Sequence, residues 1–172
     1  MSEPGLHKLY AMLLGEPPYE RVGAPEPGLL FELVPVLPDH VLPEAVWGVA
    51  GIGLIWPSER LRLLAALLGR VVKADRAPLL AQAIVQNSEV IPYLPRSILP
   101  RALDAVRAFE WWDEPGKATA LALLSARAPA PSIEDVLAAA RTPIDYGDQR
   151  RAPALAEAIS RLDRPLRSEE RR

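Results

Sequence analysis

Cysteine is absent from the 172-residue sequence, which excludes disulfides, thiolate metal sites and cysteine nucleophiles together. Histidine is scarce as well: His7 and His40 are the only two, and neither stands in a carboxylate–histidine–carboxylate setting. The sequence has no HExxH motif, no phosphate-binding glycine loop, no dinucleotide fingerprint and no Gly-x-Ser-x-Gly elbow. From these absences we predict a protein that is not an enzyme and that holds no metal and no cofactor.

A strong net charge and a long apolar run are also missing. The formal net charge is -2 at pH 7, so we do not expect the basic surface that phosphate binding needs, nor a nucleic-acid partner. The longest uncharged apolar run, 45–56, is too short to span a bilayer, and residues 1–15 lack the pattern of a signal peptide. We therefore expect a cytoplasmic protein with no membrane span.

Leucine and alanine dominate the sequence, and their spacing is helical. The alternation of apolar and polar residues that marks strands is essentially absent. Most of the 19 prolines fall between the periodic segments or in their first turn, where a missing N–H costs little. The pattern therefore predicts an all-α protein.

An internal repeat organises most of the chain. Sliding the sequence by 57 residues aligns 37–70 with 94–127 without a gap, and a slide of 34 aligns that second copy with a third. The matches include Pro38/Pro95, Pro43/Pro100 and the series Arg70/Arg127/Arg161. The copies predict helical hairpins near 41–70, 98–127 and 132–162, with an unpaired helix at about 76–86 capped by Asp75. Because one amphipathic hairpin cannot cover its own apolar face, neighbouring hairpins should stack.

Each copy follows Leu-Pro…Leu-Pro-x-Ala-Leu-x-Ala-Val-Arg-Ala, a short acidic break, and x-Ala-x-Ala-Leu-Ala-Leu-Leu. Over about 35–162 this resembles the Ala/Leu-rich helical-hairpin repeats of large bacterial sensor and scaffold proteins. It is similar in kind to tetratricopeptide and HEAT solenoids, although the tetratricopeptide signature positions are not met. The resemblance implies a short α-solenoid, irregular where the interval is 57 residues, that binds proteins and brings no catalytic residues. Within this reading, 1–28 is an N-terminal helix with a Pro/Gly-rich linker, 29–162 is the repeat domain and 163–172 is a flexible charged tail.

Several polar residues have structural interpretations. Ser132 is a predicted N-cap, with Asp135 completing a capping-box-like start, and Asp113-Glu114 places favourable charge at a helix N-terminus. Ten arginines could line one face of the stack, but acidic residues are interleaved with them, so we expect a salt-bridged surface. The ten are Arg60, Arg62, Arg70, Arg101, Arg107, Arg127, Arg141, Arg150, Arg151 and Arg161.

The first copy departs from the second at its polar stripe, and this departure supplies the candidate site. Charged residues of the second copy, among them Asp104 and Arg107, align with Trp47 and Ala50 in the first. A helix that is apolar nearly all round must be covered on both sides. The cover is either the amphipathic segment 6–13 or a protein partner, which includes a second copy. We predict that the surface at Trp47, Ala50, Gly51 and Leu54 is the principal interface.

Trp111 is a further candidate for partner contact. It precedes Trp112 and Asp113 at a hairpin corner, where packing is the simplest interpretation. Some HEAT-like DNA glycosylases hold a damaged base with tryptophan and aspartate on a helical-repeat cradle. Two functions therefore stay open: an adaptor or structural subunit of a larger assembly, which we favour, and a helical-repeat nucleic-acid module that includes a repair enzyme.

Overall fold

The computed structural model of the protein describes residues 27–51, 57–110, 113–143 and 148–169, and only the backbone for Pro27, Leu29 and 163–169. Within these ranges the chain forms eight α-helices and four 3-10 segments and contains no β-strand. The prediction of an all-α protein is confirmed. The described part contains no helix with the length and the apolar character needed to cross a membrane.

The helices follow one another with short connections. They are α1 (Pro27–Leu33), α2 (Leu42–Gly51), α3 (Pro57–Lys73), α4 (Ala77–Gln86), α5 (Leu99–Ala108), α6 (Glu114–Arg127), α7 (Ile133–Arg141) and α8 (Arg151–Glu169). The 3-10 segments are Val34–Val36, Asp39–Val41, Ser88–Tyr93 and Arg96–Ile98. The pairs α2/α3, α5/α6 and α7/α8 coincide with the three predicted hairpins. Two helices run past the predicted ends, α3 to Lys73 and α8 to Glu169.

One apolar core joins these helices, with members from Leu30 to Ala154. Helix α6 packs against α7 and α8, and also against α4, α5 and the segment Ser88–Tyr93. Helix α3 packs against α1, α2 and α4 and against that same 3-10 segment. The helix predicted at 76–86 is present as α4, but it is not unpaired, because it packs closely against α5.

The turn between α3 and α4 corrects one prediction. Asp75 does not cap α4: the N-cap is Arg76, with no side-chain cap bond, and Asp75 has a φ of 55°. The amide N–H of Asp75 donates to Val72 O, and that of Arg76 donates to Val71 O. This is the pattern of a Schellman motif, in which a left-handed residue ends a helix. Asp75 therefore belongs to the end of α3.

Two predicted helix starts are confirmed. The Asp113 carboxylate accepts a hydrogen bond from Gly116 N at 3.0 Å, and Ser132 Oγ accepts one from Glu134 N at 3.2 Å. A Cβ on Gly116 would lie 2.3 Å from an Asp113 oxygen, so this turn needs glycine. Asp135 does not complete a capping box at Ser132. Its buried carboxylate is held by Arg107 instead.

Candidate interaction surface

Helix α2 carries the part of the predicted interface that the structure describes. Its Leu42, Val46 and Val49 are buried in the core. Trp47 and Ala50 are half-buried, Trp47 packing against the core from its edge, and Gly51 is exposed. The other two predicted site residues, Leu54 and Trp111, lie outside the described residues. Arg60 approaches this surface from α3, donating to Ala50 O at 3.3 Å.

The equivalent surface of α5 is polar, as the repeat alignment requires. Asp104 and Arg107, which align with Trp47 and Ala50, are both exposed. Arg107 donates to Asp104 at 3.0 Å and makes a bidentate pair with Asp135 at 2.8 and 2.7 Å. The hydrogen bond to Asp135, more than the charges of Asp135 and Asp104, raises the pKa of Arg107 against the opposing effect of burial. Water therefore meets an ion-paired surface on α5 and a largely apolar one on α2.

Comparison with the models of protein families, with curated proteins and with solved structures finds no match. The chemistry of the described side chains therefore carries the functional argument.

Three arginines at equivalent repeat positions make equivalent contacts. Arg70 donates to Leu37 O at 2.9 Å, Arg127 to Leu94 O at 3.0 Å and Arg161 to Ala128 O at 3.0 Å. Each bond spans 33 residues. Arg70 and Arg127 also reach 36 residues back, to the carbonyls of Val34 and Ile91. Burial, followed by the nearby Arg96 charge, lowers the pKa of Arg127.

Arg151 differs most from the predicted salt-bridged surface. It is only 1 % exposed. Its guanidinium donates to the carbonyls of Pro115 at 3.0 Å, Thr142 at 2.7 Å and Pro143 at 3.1 Å, and to Thr119 Oγ1 at 3.3 Å. Several hydrogen bonds are what a buried cation needs to offset its lost hydration. Arg151 thus joins the start of α8 to the start of α6 and to the end of the α7 segment.

The salt-bridged surface is confirmed for other arginines. The pairs are Arg70–Asp39, Arg101–Asp75, Arg107–Asp104, Arg107–Asp135, Arg150–Asp148 and Arg161–Glu157. Burial alone would raise the pKa of Asp148, but hydrogen bonds from Arg150 and Thr119 outweigh it and hold that pKa below its usual value. Four of the ten arginines, at 70, 127, 151 and 161, bind backbone carbonyls, which the sequence analysis did not foresee.

An open cleft of about 450 Å³ lies between α6 and the end of α7. Glu110, Glu114, Lys117 and Thr142 contribute its polar lining. The Lys117 ammonium donates to Arg107 O at 3.0 Å and to Phe109 O at 2.7 Å, so it holds the α5–α6 corner together. Across the described ranges, no three His, Asp or Glu side chains come together closely enough to hold a metal ion.

A second apolar surface was missed by the sequence analysis. Ile133 and Leu137 of α7 are 62 % and 43 % exposed, and Ile159 of α8 is 48 % exposed. The repeat alignment already contained the signal. Because each hairpin is covered by the next, the outward side of the third should be left open unless its apolar residues are replaced.

Proposed function

We propose that the protein is a non-catalytic protein–protein interaction module, an adaptor or structural subunit built as a short, irregular α-solenoid. The observation that carries this proposal is the apolar outer side of α2. Trp47, Ala50 and Gly51 stand there, at positions where the sister helix α5 is charged and exposed. Losing the charges removes the reason for that side to meet water, and exposed apolar patches on proteins commonly mark interaction sites.

The arginine contacts support the solenoid part of the proposal. In each hairpin, an arginine near the end of the second helix binds a carbonyl 33 residues earlier, where the hairpin is entered. The same contact recurs although the first two copies are separated by a longer interval. Recurring local contacts with neighbour-to-neighbour packing are typical of repeat proteins. The resemblance to bacterial scaffold repeats points in the same direction.

The same contacts favour a protein partner over nucleic acid. Phosphate binding releases counterions from a row of available cations. Here Arg70, Arg127, Arg151 and Arg161 donate to carbonyls, and Arg107 is held by two carboxylates. The expected partner surface is therefore apolar, with Trp47 as the anchor, since tryptophans are enriched among residues that dominate binding energy.

The test begins with capture of partners from the native source at high salt, followed by production of the captured protein and titration. We expect Trp47→Arg, which copies the polar character of α5, to weaken binding by about 30-fold or more, the loss typical of a hot-spot residue. Val36→Arg is the matched control, because Val36 is a 67 % exposed apolar residue outside α2. Equal affinity of Trp47→Arg and wild type would refute the proposed surface.

A second readout separates the nucleic-acid alternative. An interaction module of this kind should pass through a heparin column without retention. Retention that collapses with modest salt would instead indicate a phosphate-binding protein, because counterion release produces that dependence.

A further inference from the structure

The last hairpin is covered on one side only, and its sister hairpin shows what covers the other. In α6, Ala118, Ala122 and Ser125 are buried, and so are Ala120 and Leu124 on the remaining side. A shift of 34 residues carries these positions into α8. The equivalents of Ala120 and Leu124 are Ala154 and Ala158, which are buried. The equivalents of the other three are Ala152, Ala156 and Ile159, which are exposed.

The contacts identify the two sides of α6. Arg127, one turn beyond Leu124, reaches back to Ile91 and Leu94, so the Ala120–Leu124 side faces the preceding elements. The Ala118–Ala122–Ser125 side therefore faces α7 and α8, which pack on α6. By equivalence, the exposed side of α8 has the form of a surface that receives helices.

Helix α7 shows the same contrast. Its Ile133 and Leu137 are exposed, whereas the equivalent Leu99 and Leu103 of α5 are 0 % and 6 % exposed. Ile133, Leu137, Ala152, Ala156 and Ile159 are defined here as the C-terminal face. None of the five is charged.

The other end of the helix row is closed. Helix α1 and the segment Val34–Val36 pack on α3, and Arg70 holds that segment through the carbonyls of Val34, Pro35 and Leu37. Leu63 and Leu67, the equivalents of Ala120 and Leu124, are consequently buried. The C-terminal face of one copy therefore cannot stack on the N-terminal end of another in the way that α8 stacks on α6.

We propose that the C-terminal face binds the C-terminal face of a second copy about a two-fold axis. Such an isologous contact closes on itself and generates no filament. An antiparallel crossing of two α8 helices at Ala156 places Ile159 of each copy against the small Ala152 side of the other. Because the face has no charge, no like charges are brought together. This pairing is independent of any partner at Trp47.

The size of the face sets the strength to expect. With a rise of 1.5 Å per residue and a width of about 10 Å, α7 and α8 present roughly 400 Å² per copy, below the standard interface of about 800 Å² per partner. The dimer should therefore be reversible. We expect a dissociation constant of roughly 10–500 μM, in the weak range of protein association.

Sedimentation equilibrium of the full chain over a concentration series tests the pairing. We expect wild type to approach a dimer, and Ile159→Arg and Leu137→Arg each to raise the dissociation constant at least about tenfold, because each places a charge in an apolar contact. Val36→Arg should dimerise like wild type. A wild type that stays monomeric to about 1 mM, or a dimer lost in Trp47→Arg and kept in Ile159→Arg, overturns the proposal.

Cross-linking supplies a test that does not depend on destabilising the face. The chain has no cysteine, so Ala156→Cys introduces a single thiol near the two-fold axis. Mild oxidation should give disulfide-linked dimers at least about ten times faster than with Val36→Cys, since a disulfide needs Cα atoms roughly 4.4–6.8 Å apart. Equal rates for the two variants contradict the two-fold pairing even if the chain self-associates elsewhere.

Discussion

Arg150 and Arg151 are adjacent arginines with opposite surroundings. Arg150 is exposed and pairs with Asp148, whereas Arg151 is buried among three carbonyls and one hydroxyl. Their contrast explains why arginine in a sequence does not by itself indicate a charged surface. The planar guanidinium can satisfy several separate acceptors at once, and lysine cannot do so in the same geometry.

This contrast makes a stability prediction. Arg151→Ala should lower the free energy of unfolding by about 3 kcal/mol, because buried acceptors lose their donors. Arg150→Ala, the control, should cost less than about 1 kcal/mol, as exposed ion pairs do. Urea denaturation of both variants measures the difference. Similar small losses would mean that the carbonyl contacts of Arg151 do not stabilise the fold.

Asp148 gives a prediction for acid. Its folded pKa lies below the ordinary value of 3.8, so the unfolded state binds more protons between the two values. The stability that this carboxylate contributes is present above the unfolded pKa and is lost as the pH falls through the folded one. Asp148→Asn should therefore be destabilised by about 1 kcal/mol at pH 7 and should match wild type below the folded pKa.

Asp75→Asn is the control for that measurement, because Asp75 is exposed and asparagine tolerates the left-handed conformation. Its difference from wild type should stay small at every pH. A constant difference between Asp148→Asn and wild type from pH 7 to pH 2 would show that the substitution acts through packing and not through ionisation.

At the scale of elements, helix α2 makes a prediction about the N-terminal segment. If a partner covers Trp47, deleting residues 1–15 should change the unfolding free energy by less than about 1 kcal/mol and leave partner affinity unchanged. A full-length Leu9→Asp variant is the matched control, since it alters the apolar face of the segment without shortening the chain. A drop in Tm of several degrees in both variants would show that residues 6–13 cover α2 instead.

The elements were also the most predictable part of the fold. Apolar period, proline positions and caps such as Ser132 and Asp113 are local signals, and they located the three hairpins. Asp75 was misassigned because aspartate suits both a helix start and a left-handed helix end. Asp135 was misassigned because its partner, Arg107, stands 28 residues away and is brought near only by folding.

At the scale of the whole molecule, the candidate site was only partly accessible from the sequence. The repeat alignment singled out Trp47 and Ala50 because a sister copy showed what usually stands there. The C-terminal face has no such internal contrast in residue type, since apolar residues occupy both α5–α6 and α7–α8. Only burial distinguishes Leu103 from Leu137, and burial depends on what lies beyond the hairpin.

The arginine-to-carbonyl bonds divide the chain into closed loops, 37–70, 94–127 and 128–161, and the last two adjoin without a residue between them. The 23 residues from 71 to 93, which carry α4, lie outside every loop and account for the longer first interval, since 34 + 23 = 57. A pull on the two ends would meet each tie only after the loop before it had opened. Under load, the chain should therefore lengthen in steps of one loop, with 71–93 as the stretch that no tie protects.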